Sequence, residues 1–182
     1  MSEVLEQNET AVKQAQEKPI VKLIPFPPGM VGEAWKWMHE FPAANFDDDG
    51  PKTLADFSAQ LLASVQRGSN IIGVEHDGKT VGIVRLTRLN SRLAMFGGIC
   101  FSKEVHGKGI ARAALEQVIA ILWLDGIEKI IAQYFADNQR VRSFLAKLGA
   151  KDEGFHRKHA KRGGKIIDVR LIAFFKPDPE VN

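Results

Sequence analysis

Cysteine is almost absent from this chain of 182 residues. The single cysteine, Cys100, lies inside an apolar run, so the chain has no disulfide framework, and we expect a core thiol rather than a nucleophile. No apolar run reaches the ~18 residues of a membrane span, and the polar N-terminus lacks the apolar core of a signal peptide. We therefore expect a reducing, cytoplasmic setting without membrane contact.

A strong excess of one charge is also missing. The formal net charge is +3, and lysine and arginine are spread along the chain apart from a cluster between Arg157 and Arg162. This pattern argues against a dedicated nucleic-acid-binding protein and suits a small polyanionic ligand. His156 and His159 have no further metal ligands at a suitable spacing, so we expect no metal site.

The hydrophobic content of 45% predicts one globular domain with a sizeable core. We place this domain at residues 19–177. The preceding segment, residues 1–18, is rich in glutamate and glutamine without a clear apolar stripe, which indicates a solvated tail or loose helix, with a partner-binding helix as the alternative. Residues 178–182 form a C-terminal tail.

The first part of the domain is predicted to be mainly helical. A strand at residues 20–24, closed by prolines, precedes a short helix that carries Trp35, Met38 and Phe41. Thr53-x-x-Asp56 resembles a capping box and predicts the start of a second helix. That helix is expected to bury one apolar face, formed by Leu54, Phe57, Leu61, Leu62 and Val65.

The rest of the chain alternates strands with two helices. Six strands are predicted, at residues 71–76, 79–89, 92–101, 130–135, 150–159 and 165–175. Asp77-Gly78 marks a hairpin turn, and Gly163-Gly164 marks another. The helix at residues 110–124 is apolar almost all round, so it should be buried against a sheet. The last helix ends at Gly149, and its core face consists of Val141, Phe144, Leu145 and Leu148.

The loop between the third central strand and the long helix has the composition of a phosphate-binding loop. It reads His106-Gly107-Lys108-Gly109-Ile110-Ala111. Glycines let a backbone approach a ligand closely, and a helix N-terminus favours an anion. The loop is no Walker A motif, and a dinucleotide fingerprint would need glycine at Arg112. A glycine-rich turn without a ligand is the alternative.

A second motif follows the fifth strand. Asn138, Val141, Leu145, Lys147, Gly149 and Ala150 stand at the positions of Asn-x-x-Ser-x-x-x-Leu-x-Lys-x-Gly-Phe, and four of the six match. Together with the first loop, read as [Arg/Gln]-x-x-Gly-x-[Gly/Ala], and the order of elements, this motif resembles the GCN5-related N-acetyltransferase (GNAT) superfamily. The nearest type is the ribosomal-protein N-terminal acetyltransferases. The resemblance implies an α/β (α+β) fold: a mixed, mostly antiparallel sheet of about seven strands with about four helices.

The resemblance also implies a function. It implies acetyl-CoA as co-substrate, with the pyrophosphate bound by the loop residues His106, Gly107, Lys108, Gly109, Ile110 and Ala111. Phe101 stands where the backbone usually pairs with the pantetheine arm. Asn138 would be a polar anchor for the coenzyme, an N-cap of the following helix, or both. The acceptor would be a small-molecule or peptide amine, and the exposed strand edges make a homodimer possible.

The catalytic residues are unknown from the sequence. Many relatives carry a glutamate base and a tyrosine acid where this chain has Gln133 and Leu145, although leucine is usual in the ribosomal-protein type. The acidic triplet at residues 47–49 is either a feature of the acceptor site or a solvated loop, and Trp35 and Trp37 are expected at the core and rim of the first helix. The alternative function is a weakly active or inactive GNAT-like structural or interaction protein, to which a looser resemblance to small phage-encoded proteins also points.

His106 leads to a first testable prediction. Histidine stands where arginine or glutamine is usual, and a protonated imidazole binds phosphate better than a neutral one. We expect tighter acetyl-CoA binding at pH 6 than at pH 8, which calorimetric titration at both pH values measures. Equal affinities would argue against a direct contact between His106 and phosphate.

Overall fold

The computed structural model describes residues 18–40 and 47–178. The strands are β1 Lys22–Pro25, β2 Ser69–His76, β3 Lys79–Arg88, β4 Leu93–Phe101, β5 Lys129–Phe135, β6 Lys151–Arg162 and β7 Lys165–Phe175. The helices are α1 Val31–Glu40, α2 Leu54–Gln66, α3 Ile110–Leu124 and α4 Gln139–Lys147, with 3-10 turns at Pro28–Met30 and Lys103–Val105. This order confirms the predicted one. Phe41 and residues 1–17 lie outside the described residues.

The seven strands form one sheet in the order β1-β2-β3-β4-β5-β7-β6. All neighbouring pairs are antiparallel except β4 and β5, which run parallel, so the sheet is mixed and mostly antiparallel as predicted. The turn at Asp77 and Gly78 has φ values of +50° and +71°. Positive φ at both residues is typical of the primed turn that matches strand twist, which explains why the sequence signal was reliable here.

Helices cover the two faces of the sheet unequally. On one face, α3 and α4 bury the larger apolar cluster, which includes Ile110, Leu115 and Ile130. On the other face, α1 and α2 bury a smaller cluster, whose sheet residues come from β2, β3 and β4. We call this second side the open face, because Gln133 of β5, which alternation places on it, is exposed. None of the helices in the described residues is long and apolar enough to cross a membrane.

Two expectations about helix burial are wrong in part. Helix α2 has the predicted capping box at Thr53 and Asp56. Its buried side, however, is rotated towards Phe57 and Ser64, so Leu54, Leu62 and Val65 are exposed. Helix α3 is also not buried all round, because Leu124 is 88% exposed at its last turn. In both helices the apolar composition was right, but only the packing partner decides which direction faces the core.

Candidate active site

The parallel strands β4 and β5 separate along their length. They pair only between Leu93 and Met95 on β4 and between Lys129 and Ile131 on β5. Beyond this point β5 continues to pair with β7, and β4 continues to pair with β3. The two strands therefore enclose a cleft, here called the V cleft, between residues 96–101 and 132–135. Its closed end lies at Phe96, and its wide end lies at the loop before α3.

A bulge in β4 lies at the closed end of the V cleft. Arg85 of β3 pairs with Gly98 and Leu86 pairs with Phe96, so Gly97 is an extra residue without a partner. Such a bulge bends the strand and increases its twist, which accounts for the divergence from β5. The Arg85 guanidinium donates a hydrogen bond to the Gly97 carbonyl. A Cβ on Gly97 would lie 2.7 Å from Arg85 Nε, so this bulge needs glycine for the close approach of the side chain.

The backbone of β4 presents polar groups to the V cleft. The N–H of Ser102 donates to Val81 on β3 at 2.9 Å, so by alternation the N–H and C=O groups of Phe101 and Ile99 point the other way, into the cleft. The Phe101 carbonyl accepts a hydrogen bond from His106 Nε2 at 3.1 Å. His106 thus ties the loop to the end of β4, a contact that sequence reasoning did not predict. Ile99, which sequence reasoning also missed, adds a second backbone N–H and C=O to the cleft.

The predicted phosphate loop leads directly into α3. Gly107 and Gly109 both have φ of +77°, and Gly109 is the N-cap without a side-chain capping bond. The first intrahelical bond of the helix runs from Ala113 N to Gly109 O, so the N–H groups of residues 110–112 have no acceptor within the helix. The Ile110 side chain is buried in the core, so only its backbone can face a ligand. Lys108 is exposed beside these groups.

The described N-terminal residues pass beside this loop. Lys18 Nζ forms an ion pair with Glu116 of α3 at 3.0 Å, and Glu116 also accepts a hydrogen bond from Arg112. Both contacts lower the pKa of Glu116. Pro19 lies 3.5 Å from where a Cβ of Gly109 would be. Lys18, the last residue of the segment predicted to be a solvated tail or loose helix, therefore contacts α3.

Asn138 confirms one of its two expected roles. Its Oδ1 accepts a hydrogen bond from Val141 N at 3.1 Å, which makes it the N-cap of α4. Its Nδ2 is buried and has no hydrogen-bond partner among the described residues. A buried amide donor without an acceptor is costly, so such a group is a candidate contact for a ligand or an ordered water. Because Asn138 follows the end of β5 at the wide end of the V cleft, this unpaired donor fits the second role, contact with a coenzyme arm.

The two positions at which the resemblance implies a catalytic base and acid hold side chains that cannot transfer a proton. Gln133 is exposed on the open face, and Leu145 is a core residue of α4. Tyr134 is buried on the opposite face from Gln133, as alternation predicts, and its burial raises its pKa. A carboxylate that sequence reasoning missed lies near the wide end of the cleft. Glu40 ends α1 on the open-face layer, and its Oε2 accepts a hydrogen bond from Lys103 N at 3.1 Å.

Cys100 is a core residue, as expected. It is buried in the smaller cluster, with α1, and burial together with the negative charge of Glu40 raises the pKa of its thiol to about 12. A thiol with this pKa is protonated at neutral pH and is a poor nucleophile. The hydrogen bond from Lys103 N places the Glu40 carboxylate just beyond the end of β4. Trp37 is buried beside Cys100, and Trp35 is half-buried against His39 and Phe57, so both are part of the α1 packing.

The acidic triplet is a structural feature of the loop before α2. The two carboxylate oxygens of Asp48 accept hydrogen bonds from Gly163 N at 2.8 Å and Gly164 N at 3.2 Å. These bonds lower the pKa of Asp48. Asp48 thereby fixes the turn between β6 and β7.

The two histidines for which no metal site is predicted lie on β6. The rings of His156 and His159 stack with their centroids 4.7 Å apart. The described residues contain no group of three potential metal ligands. The bulge between His156 and Ala160 accounts for the two rings lying together. The edge strand that carries them extends to Arg162, beyond the predicted end at residue 159.

Similarity to known proteins agrees with this geometry. The family model described as "Acetyltransferase (GNAT) family" matches residues 32–150. No curated protein sequence is significantly similar to the chain. Solved structures share its fold at low identity. One is the Salmonella typhimurium acetyl transferase that modifies the N-terminal serine of ribosomal protein L7/L12, with 14% identity, a TM-score of 0.73, and coverage of 86% of this chain and 95% of that chain.

Two further structures show the range of proteins with this fold. A mutant of the spermidine N-acetyltransferase SpeG from Vibrio cholerae has 17% identity and a TM-score of 0.71, with coverage of 85% of this chain and 93% of that chain. The acetyltransferase yncA from Salmonella typhimurium, solved with acetyl-CoA, has 13% identity and a TM-score of 0.68, with coverage of 90% and 99%. At these identities the likeness establishes the fold, while the family model extends over more than half of the chain.

Proposed function

This chain belongs to the acetyltransferase (GNAT) family, and we propose that it transfers the acetyl group of acetyl-CoA to a primary amine that enters from the open face. The acceptor is a protein N-terminus or a small amine. The single observation that carries the proposal is the V cleft, which starts at an interrupted strand pair and opens beside the bare N-terminus of α3. The proposal places the pantetheine arm between the strands and the pyrophosphate at the N-terminus of the helix.

The residues at the cleft fit acetyl-CoA. The backbone N–H groups at the start of α3, with Lys108 beside them, suit the pyrophosphate. The N–H and C=O groups of Ile99 and the N–H of Phe101 suit the amides of the pantetheine arm. The unpaired Asn138 Nδ2 supplies a further donor at the wide end. His106 contributes by holding the Phe101 carbonyl through Nε2, and the comparison of acetyl-CoA affinity at pH 6 and pH 8 tests whether its ring also contacts phosphate.

The chemistry needs two proton transfers. Acetyl transfer forms the bond between the amine nitrogen and the acyl carbon and breaks the bond between that carbon and sulfur, so the nitrogen loses a proton and the thiolate gains one. Gln133 cannot accept a proton. Glu40 is a carboxylate on the side from which the amine would enter, and in this proposal it attracts the ammonium form. The first proton of the ammonium passes to solvent, and the proton that the nitrogen loses after attack reaches the thiolate through water. Positioning of the amine against the thioester supplies the rest of the rate.

Glu40→Gln tests this role. The glutamine oxygen can still accept the hydrogen bond from Lys103 N, so the change removes the charge while it keeps the contact. We expect kcat/KM for the amine to fall about tenfold, with the Kd of acetyl-CoA unchanged. Steady-state thiol release and calorimetry measure the two quantities. Glu104→Gln, an exposed carboxylate in the adjacent 3-10 turn, is the matched control; equal rates for all three proteins would remove Glu40 from the mechanism.

The function itself is tested by binding and then by turnover. A thermal-shift titration compares acetyl-CoA, CoA and ADP, and free-thiol release is then measured with a panel of amines. Stabilisation by acetyl-CoA followed by amine-dependent thiol release supports the enzyme. The neutral Gln133 favours a second candidate, an inactive GNAT-like interaction protein, and stabilisation without release for any amine would favour it. No stabilisation at all would contradict the acetyl-CoA site.

Three coarser features belong to the same proposal. The catalytic domain is taken as residues 19–177. A cytoplasmic setting is supported by the single, buried cysteine. A homodimer is supported by β6, a long outermost strand of the described sheet whose free edge can pair with a second copy.

A further inference from the structure

Arg85 is a charged residue in the centre of the sheet. It lies on β3, next to β4, and is only partly exposed. Ile83, two residues before it, belongs to the cluster under α1 and α2, so Arg85 projects to the open face as well. Its guanidinium lies across β4, with Nη2 3.3 Å from a Cβ built on Gly97 and 3.8 Å from one built on Gly98. The cation is therefore held over the closed end of the V cleft.

This cation has no acidic partner among residues 18–40 and 47–178. None of the ion pairs between described residues includes Arg85, and its hydrogen bond goes to the neutral Gly97 carbonyl. A guanidinium has five N–H donors, and charged groups at such depth are normally paired. Burial lowers the pKa of Arg85, and the positive charge of Arg67 acts in the same direction. The surroundings thus leave the charge of Arg85 uncompensated.

There is room for a ligand group beside the guanidinium. Gly98 is exposed although β4 is a central strand with neighbours on both sides. The surface that Arg85 crosses is therefore open rather than covered by α1 or α2. Under the proposed function the acetyl end of acetyl-CoA lies in the V cleft at this depth, so the acceptor amine has to approach past Gly98.

The remainder of the open face does not suit a polycation. Gln133 is neutral, and the end of the β6–β7 hairpin contains five lysine and arginine residues within residues 154–167, against the carboxylates of Asp48 and Asp137 that contact it. Lys165 is exposed there, and Arg162 lies over the Phe135 ring of β5 in an ion pair with Asp137. Glu40 is the carboxylate at the other end, near Lys103. This arrangement matches an acceptor that has both an amine and an anionic group.

We propose that Arg85 binds a carboxylate on the acceptor, so that the substrate is an amine of the amino acid or acidic-peptide kind rather than a polyamine. The inference rests on the proposed function and specifies its acceptor. Arg85 sets specificity through a charge-assisted hydrogen bond or a bidentate pair, for which the guanidinium fork is suited. The ammonium end of the acceptor then faces the side on which Glu40 lies, so that the nitrogen is between the charges of Arg85 and Glu40.

The test is a comparison of two acceptors in two proteins. Amino acids and their carboxamides differ in the carboxylate, and Arg85→Gln removes the cation. We expect Arg85→Gln to lower kcat/KM for the amino acid by about ten- to a hundredfold relative to its amide, the loss of one hydrogen bond between charged groups. The Kd of acetyl-CoA should stay the same. Arg88→Gln, on the same strand and bonded to the Asp125 carbonyl, is the control and should leave the ratio unchanged.

The outcomes separate the inference from the proposed function. Absence of acetyl-CoA binding, or of thiol release with every amine, contradicts the proposed function. Thiol release that is fastest with spermidine, or an equal effect of Arg85→Gln on amino acid and amide, overturns the inference alone. If Arg85→Gln does not fold, Arg85→Lys provides the test. Lysine keeps the positive charge but lacks the planar guanidinium fork, so this variant should still lower the rate for the amino acid by about threefold relative to the amide. Faster thiol release with phosphoethanolamine than with any amino acid would show that Arg85 binds a phosphate group of the acceptor and not a carboxylate.

Discussion

Gly107→Glu is expected to abolish acetyl-CoA binding. Gly107 has φ of +77° in the loop before α3, and a Cβ built on it meets no atom within 4 Å. A side chain there extends into the space beside the α3 N-terminus, where the proposal places the pyrophosphate, and its carboxylate adds a repelling charge. We expect the Kd to rise at least about a hundredfold, equivalent to about 2.8 kcal/mol. Calorimetry with acetyl-CoA measures it.

Two control variants separate the ligand effect from backbone strain. Gly126→Glu introduces the same side chain at a glycine with φ of +84° and equally open space, but after the C-terminal end of α3. It should lose a similar amount of thermal stability and keep its affinity. Gly107→Asn has a residue that tolerates positive φ and no charge, so it should bind acetyl-CoA with intermediate affinity. Wild-type affinity in Gly107→Glu would show that the phosphate lies elsewhere.

The features that the sequence predicted well depend on local signals. The loop from His106 to Ala111 has its glycines at positive φ, and Asp77-Gly78 forms the expected hairpin turn. The capping box at Thr53 also formed as predicted. Each of these conformations is dictated by residues within a few positions of one another, so a single sequence contains the information.

The features that the sequence did not reveal depend on contacts between distant residues. Arg85 and Gly97 lie on adjacent strands 12 positions apart in the sequence, and Glu40 contacts Lys103 across 63 positions. Asp48 reaches Gly163 across 115 positions. Glycine at 97 and 98 signals an irregular strand, but only the register with β3 shows that an arginine side chain occupies the space. Catalytic assignment failed for the same reason, because the candidate carboxylate comes from another layer.

Burial direction is a second kind of information that the sequence lacked. The large apolar residues of α2 lie on one broad side of the helix. The part of that side that packs against the sheet includes Ser64, whereas Leu62 stays 60% exposed. The helix is positioned by Phe57, which packs against Trp35 of α1. A rotation of this size costs little hydrophobic burial in one helix, so periodicity alone does not fix it.

Gly82→Ala is expected to damage both stability and the cofactor cleft. Gly82 of β3 pairs with Phe101, and a Cβ on it would lie 2.4 Å from Phe101 Cδ1 and 2.5 Å from Cε1. The Phe101 ring is buried in the larger core cluster, so it cannot simply turn aside. Overpacking of this kind costs about 1–3 kcal/mol, which corresponds to a fall in Tm of about 2–12 °C for a domain of this size.

The effect on binding follows from the position of Phe101 in the strand. Its backbone N–H lies at the edge of the V cleft, and its carbonyl is held by His106, so a displaced ring shifts the groups that the pantetheine arm would meet. We expect about a tenfold weaker affinity for acetyl-CoA, measured by calorimetry below the Tm of the variant. Gly29→Ala, where a Cβ meets nothing within 4 Å, is the control and should change neither quantity.

A compensating substitution makes the argument specific to this pair of residues. Phe101→Val removes the Cδ1 and Cε1 atoms that the new methyl group would strike, so the double variant Gly82→Ala/Phe101→Val should be more stable than Gly82→Ala with Phe101 intact, although Phe101→Val in the wild-type background should destabilise through a cavity. A recovered Tm together with recovered acetyl-CoA affinity would show that the ring transmits the damage to the cleft. Additive losses in the double variant would show instead that Gly82 is needed for another reason.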